Sequence, residues 1–156
     1  MKKKIKITLL LSFFVFLLSS CEINGPTIDL SSVPISLRKT LYINYEAGLG
    51  TVTFSTTKID VVRGSTSDFG DSSTNTMYLG FYNDAAEFDT DTLTNLGYSI
   101  TAAGSTTTQL ILTCTKAGAS TIKYIFNISS PDIWVEKKVD NITDSSYATV
   151  LTWDPF

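Results

Sequence analysis

Apolar and polar residues alternate along much of the chain. In the segment 37–45, Leu37, Leu41 and Ile43 fall on one face of an extended strand and polar residues fall on the other. The same alternation recurs at 51–55, 108–115, 121–129 and 133–139. A period of two is typical of β-strands that bury one face. The pattern therefore predicts an all-β domain.

The spacing of these segments favours one architecture. We predict about eight short strands, separated by turns at roughly 8–12-residue intervals, which is typical of a two-sheet antiparallel β-sandwich of immunoglobulin-like type. A small β-barrel is the alternative. An apolar run predicts a further strand at 77–82. The capping-box spacing from Asp84 to Glu87 predicts a single helical turn.

The first 20 residues have a different pattern. Four lysines occur in the first six positions, and an apolar stretch follows at 7–18. A membrane-spanning helix needs about 20 apolar residues, so this stretch is too short to be one. It is typical of the apolar region of a signal peptide. We therefore expect residues 1–20 to direct export and then to be removed.

Leu18, Ser19, Ser20 and Cys21 place an apolar residue and two small residues directly before a cysteine. This pattern resembles the lipobox of bacterial lipoproteins. The resemblance implies cleavage before Cys21, thioether attachment of diacylglycerol to its sulfur, and acylation of the new amino group, with palmitate among the expected fatty acids. Each buried CH₂ contributes about 0.8 kcal/mol, so two or three acyl chains anchor a protein stably.

The membrane that holds the lipid depends on the organism. In enteric bacteria an aspartate after the lipidated cysteine favours the inner membrane, and here the residue is Glu22. The outer membrane is therefore favoured if the organism is Gram-negative. Residues 21–34 are expected to form a tether; the alternative is that Ile28 and Leu30 begin an edge strand. Residues 35–156 then form a single β domain.

Charge and composition make some classes of function improbable. A chain that begins at Cys21 carries eight basic and fifteen acidic residues, a net charge of −7, which excludes a nucleic-acid partner. The chain has no histidine, the commonest general base and metal ligand. Lipidation of Cys21 leaves Cys114 without a partner. Its shared parity with Leu110 and Leu112 predicts a buried, inert thiol.

The sequence offers two candidate sites. Asp84, Glu87, Asp89 and Asp91 fall within eight residues, and their oxygens are candidate Ca²⁺ ligands, although no EF-hand pattern is present. The same carboxylates are the candidate acid and base of a glycosidase. A solvated loop is the simpler interpretation, and no other cofactor is expected.

The second candidate site is aromatic. Trp134 shares strand parity with Glu136 and Lys138, and Tyr42 shares parity with Asn44, so both are expected on a polar face. An exposed aromatic ring can stack on a sugar or anchor a protein partner.

These features predict a membrane-anchored cell-envelope lipoprotein whose domain is a binding or assembly module rather than an enzyme. Its expected partners are the lipid bilayer, through the acyl chains on Cys21, and an envelope protein or glycan. One alternative is an accessory subunit of an envelope secretion or pilus machine. The other is a histidine-free glycan hydrolase that uses the acidic residues.

Overall fold

A computed structural model of the chain describes residues 25–44, 49–64, 80–128 and 131–153. Within these ranges the strands are β1 Ile28–Asp29, β2 Thr40–Ile43, β3 Gly50–Phe54, β4 Ile59–Arg63, β5 Ser99–Thr101, β6 Gln109–Thr115, β7 Ile122–Asn127, β8 Asp132–Val139, β9 Ile142–Thr143 and β10 Thr149–Thr152. The helical elements are a 3₁₀ turn at Ile35–Leu37, helix α1 at residues 80–86 and helix α2 at Thr90–Asn95.

These strands form one mixed sheet that curls into half of a barrel. Their order across the sheet is β1-β5-β6-β7-β8-β10-β2-β3-β4, and β9 pairs with β8 beside this path. Strand β1 runs parallel to β5, and the remaining pairings are antiparallel. Among the described strands, β1 and β4 are therefore the two edges.

Strand β10 joins two meanders, β2–β4 and β5–β8. It pairs with β8 on one side, where Thr149 lies opposite Val135, and with β2 on the other, where Leu151 lies opposite Ile43. The predicted all-β class is confirmed. The two-sheet sandwich of immunoglobulin-like type is not shown, because β10 bonds both halves into one ladder, and the alternative barrel is only half formed.

The hydrophobic core lies between the inner face of the sheet and the segment that carries α1 and α2. Phe126 on β7 contacts Phe54 on β3 with ring centroids 5.5 Å apart, although three strands separate β7 from β3 in the sheet. This contact requires the sheet to curl. Phe88 then covers the inner face, with its ring centroid 5.1 Å from that of Phe126.

Two predictions for the segment that carries α1 and α2, called the covering segment, are wrong. Residues 80–82, predicted as strand, are helical. Phe81, Ala85 and Phe88 are spaced by four and three residues, which is the spacing that puts apolar side chains on one helical face. Asp84, predicted to cap a helical turn, instead lies within α1.

Residues 25–34 differ from the expected tether because they pack on the domain. The backbone carbonyl of Thr27 accepts a hydrogen bond from the Ile100 N–H at 2.8 Å. The side chains of Leu30 and Val33 are both 1 % exposed. The edge-strand alternative is therefore the one that the structure shows, because burial of these side chains holds the segment against β5.

The two ends of the strands can be told apart by the chain direction. The end where Gly25 enters the fold is called the entry end; β5 begins there, β6 ends there, and the turns at 116–121 and 140–141 lie there. The opposite end is called the distal end. It carries the turn at 102–108, the segment 31–38 and the start of β8.

Candidate functional site

The four acidic residues predicted as a calcium or catalytic site do not converge. Asp84 accepts a hydrogen bond from the Ala148 N–H, Glu87 pairs with Lys137, Asp89 caps α2, and Asp91 pairs with Lys58. Among the described residues, no group of three or more acidic or cysteine side chains is placed to hold a metal ion. The calcium hypothesis gains no support from this part of the chain.

Lys137 lies at the centre of a polar cluster between β8 and the covering segment. Its side chain is 15 % exposed, and its Nζ lies 2.6 Å from Glu87 Oε2 and 3.5 Å from Asp144 Oδ2. Burial lowers the pKa of Lys137, but the hydrogen bond to Glu87 and the charges of Glu87 and Asp144 outweigh it, so the pKa is raised. The lysine is therefore held as a cation, not as a nucleophile.

Two tyrosines complete this cluster. The Tyr147 hydroxyl donates to the backbone carbonyl of Asp84 at 2.7 Å, and the Tyr124 hydroxyl donates to Glu87 Oε2 at 3.2 Å. Burial raises the pKa of both tyrosines, so they stay protonated donors. The cluster thus ties the covering segment to the sheet, and its groups satisfy one another. That arrangement favours a structural role over a catalytic one.

Asp84 and Asp144 give the domain opposite responses to pH. Burial raises the pKa of Asp84 above its ordinary value of 3.8, whereas hydrogen bonds from Ser146 lower the pKa of Asp144 below that value. A raised pKa stabilises the fold at low pH, and this stabilisation is lost as the pH rises through the folded-state pKa. A lowered pKa stabilises the fold above pH 3.8, and this stabilisation is lost as the pH falls through the folded-state pKa.

We therefore expect Asp84→Asn to raise the urea midpoint of unfolding at neutral pH, and Asp144→Asn to lower it. The asparagine oxygen still accepts a hydrogen bond at either position, so the charge is the main change. The effect of Asp84→Asn should disappear as the pH falls through the raised pKa of Asp84, which lies above 3.8, whereas the effect of Asp144→Asn should disappear only as the pH falls below 3.8. Urea titrations at several pH values check this. Shifts of the same sign in the two variants would contradict the assignment.

The two candidate aromatic residues lie on the outer face of the sheet. Trp134 is 58 % exposed, as its strand parity predicts, and lies near the distal end. Its cross-strand partner Val150 is 1 % exposed although it faces away from the main core. Tyr42 is half-buried, opposite Thr152. Neither ring lines either of the two hollows described within these ranges, and a binding role for the two rings stays a prediction.

An open groove lies at the distal end of the sheet. Its volume is about 590 Å³, and segments 31–36 and 105–107 and the Arg38 side chain line it. Arg38 donates from Nε to the Val33 carbonyl at 2.9 Å and from Nη2 to the Ser31 carbonyl at 3.2 Å. The guanidinium is thus fixed in the groove, and it forms no salt bridge with a described carboxylate.

Sequence reasoning missed this groove. Segments 31–36 and 105–107 are both rich in Ser and Thr, and each reads as an ordinary polar turn. The two segments come together only because β1 pairs with β5. No local sequence pattern predicts a parallel pair between segments about 70 residues apart.

Cys114 is fully buried, as its parity predicts, and burial raises the pKa of its thiol to about 12. It is therefore inert in the folded protein. The lipidation and cleavage residues Leu18, Ser19, Ser20 and Cys21 lie outside the described ranges. Their predicted roles stay predictions.

No protein-family profile, curated protein or solved structure matches the chain. The fold and the sites therefore define only a class of protein. It is an all-β domain with one curled sheet, a helical cover and a polar distal groove. Within the described ranges, none of the helices has the length and apolar character needed to span a bilayer. Function has to be argued from the sites, because a fold of this kind does not fix it.

Proposed function

We propose that the chain is an exported lipoprotein of the cell envelope, held to a membrane by lipid on Cys21, with a β domain that binds or assembles and does not catalyse. The observation that carries the proposal is the pattern that ends at Cys21, which resembles a lipobox. Thr27, six residues later, is already hydrogen-bonded to the sheet, so the expected anchor lies close to the domain. Glu22, rather than an aspartate, favours the outer membrane in a Gram-negative organism.

The described sites support binding rather than catalysis. The carboxylates of the acidic segment are engaged by backbone N–H groups or lysines, so a glycosidase pair has no support among them. The distal groove, in contrast, presents hydroxyl groups, a fixed guanidinium and the 81 % exposed side chain of Ile35 beside it. Fixed donors beside an apolar side chain suit recognition of a polar ligand, such as a glycan or a protein loop.

The two cysteines provide a matched test of the anchor. In the producing cell, the parent protein and Cys114→Ser should incorporate a clickable palmitate analogue and partition with membranes. Cys21→Ser should incorporate none and should be released, because only Cys21 lies in the lipobox. Incorporation into Cys21→Ser, or an intact amino terminus by mass spectrometry, would remove the proposal.

The binding role is tested on the soluble domain that carries Cys21→Ser. Two-dimensional NMR with purified cell-wall glycan fragments should shift the amide signals of residues 31–38 and 105–107. Arg38→Ala should abolish these shifts, since the guanidinium is the groove's charged donor, whereas Lys123→Ala on the sheet surface should leave them unchanged. If the titration shifts no amide signal from the groove, the glycan hypothesis loses its support. An envelope protein is then the partner to test.

A further inference from the structure

A row of inward-facing residues runs across the sheet and out of the core. The register pairs Ile100 with Cys114, then Ile122, then Val139, and finally Ile142. Residues in register share one face of a sheet. Ile100 and Cys114 are buried, Ile122 and Val139 are half-buried, and Ile142 is 75 % exposed. The apolar inner face therefore continues into solvent at the entry end.

Leu96 is a second exposed apolar side chain at the entry end, and it directly precedes Gly97, which lines a hollow together with Gly25. Leu96 is the C-cap of α2 and is 57 % exposed. Its carbonyl accepts a hydrogen bond from Lys116 Nζ at 2.8 Å, and this ammonium lies 5.8 Å from the centroid of the Tyr98 ring. The carboxylate of Asp140 at this end is engaged by the Thr121 N–H at 2.9 Å.

These residues make an amphipathic surface of a recognisable kind. We call it the apolar rim and define it as Leu96, Tyr98, Ile122, Val139 and Ile142, with Lys116 beside it. Tyrosine and lysine next to exposed aliphatic side chains are typical of the headgroup region of a bilayer. There the apolar part of each side chain contacts lipid, and the ammonium reaches the phosphates.

The chain enters the fold at this same end. Gly25 and Pro26 line a hollow of about 660 Å³ together with Gly97 and Lys116. Cys21 precedes Gly25 by four residues, which span at most about 14 Å when fully extended. The headgroup layer of a bilayer is roughly 5–8 Å thick on each side. A lipid on Cys21 therefore keeps the part of the rim beside this hollow, at Leu96 and Lys116, within reach of the headgroups.

We infer that the apolar rim is a bilayer-contact surface that orients the anchored domain. Leu96 and Ile142 enter the boundary between headgroups and acyl chains, Lys116 pairs with lipid phosphates, and the distal groove faces away from the membrane. The inference rests on the proposed lipidation of Cys21. It goes further, because a lipid tether by itself leaves the domain free to rotate.

The test uses lipidated protein in vesicles of phosphatidylethanolamine and phosphatidylglycerol, with Cys114→Ser to remove the buried thiol. The thioether at Cys21 does not react, so one introduced cysteine takes a fluorescent NBD label. At Leu96→Cys and Ile142→Cys we expect a loss of fluorescence when a lipid with a shallow nitroxide quencher is added. Ile35→Cys, more exposed than either but at the distal end, is the control and should show none.

Mass spectrometry of the same samples separates the two proposals. If the acyl mass is absent, the lipoprotein assignment and the bilayer contact are both wrong. If it is present but positions 96 and 142 are not quenched, only the bilayer contact is overturned. If a label on the rim reports an apolar environment without quenching, a second copy or another protein covers the rim instead of lipid. Equal quenching at position 35 would mean that the domain has no preferred orientation on the bilayer.

Discussion

Phe126→Ala is expected to lower the free energy of unfolding by about 3–5 kcal/mol, as truncation of a buried aromatic ring usually does. Phe126 is fully buried, and its ring contacts Phe54 across the curl of the sheet and Phe88 in the covering segment. One truncation therefore removes contacts between three parts of the core. Domains of this size are commonly stable by about 5–15 kcal/mol, so a large part of the stability is lost. Urea unfolding followed by circular dichroism measures the change.

Trp134→Ala is the matched control on the adjacent strand. It removes a larger ring, but one that is 58 % exposed on the outer face, so we expect a change of about 1 kcal/mol or less. A loss equal to that of Phe126→Ala would mean that the inner and outer faces of the sheet have been assigned in reverse.

Strand parity predicted much of the core because it depends only on neighbouring residues. The face shared by Ile122, Tyr124 and Phe126 is the inner face of β7. The parity change between Phe54 and Ile59 is the turn in which the Ser55 N–H bonds the Lys58 carbonyl, so β3 and β4 are separate strands. In both places, local sequence and tertiary burial favour the same structure.

The order of strands could not be predicted in the same way. Nothing local distinguishes β10 as the strand that joins β8 to β2, since its four residues are buried on both faces and no alternation marks an outer side. The same limit hid β1, which reads as a linker and becomes a strand only beside β5. These strand pairings depend on tertiary contacts, and no local pattern in a single sequence predicts such contacts.

The acidic segment shows the same division between local and distant information. Its four acidic residues are close together in the sequence, but in the structure each of them has a different partner. Glu87 pairs with Lys137, which is 50 residues away, and this ion pair joins the covering segment to the sheet. Predicting the partner requires knowledge of where the covering segment lies on the sheet.

Asp89→Ala is expected to lower the free energy of unfolding by about 2–4 kcal/mol, because one side chain performs two roles. Its Oδ1 accepts from the Thr92 N–H and caps α2, and its Oδ2 accepts from the Val61 N–H on edge strand β4, both at 2.9 Å. The residue is 9 % exposed, so water cannot easily replace either bond. Urea unfolding gives the loss, and hydrogen exchange at Val61 reports the freed edge.

Asp91→Ala is the control for that substitution. Asp91 lies in the first turn of α2 but is exposed, and its described partner is a surface ion pair with Lys58, so we expect a loss below about 1 kcal/mol. Asp89→Asn should fall between the two variants, since its amide oxygen can serve one N–H group while its NH₂ group cannot accept from the other. Equal losses in Asp89→Ala and Asp91→Ala, with unchanged exchange at Val61, would show that general charge in the helix, and not the double cap, stabilises this edge.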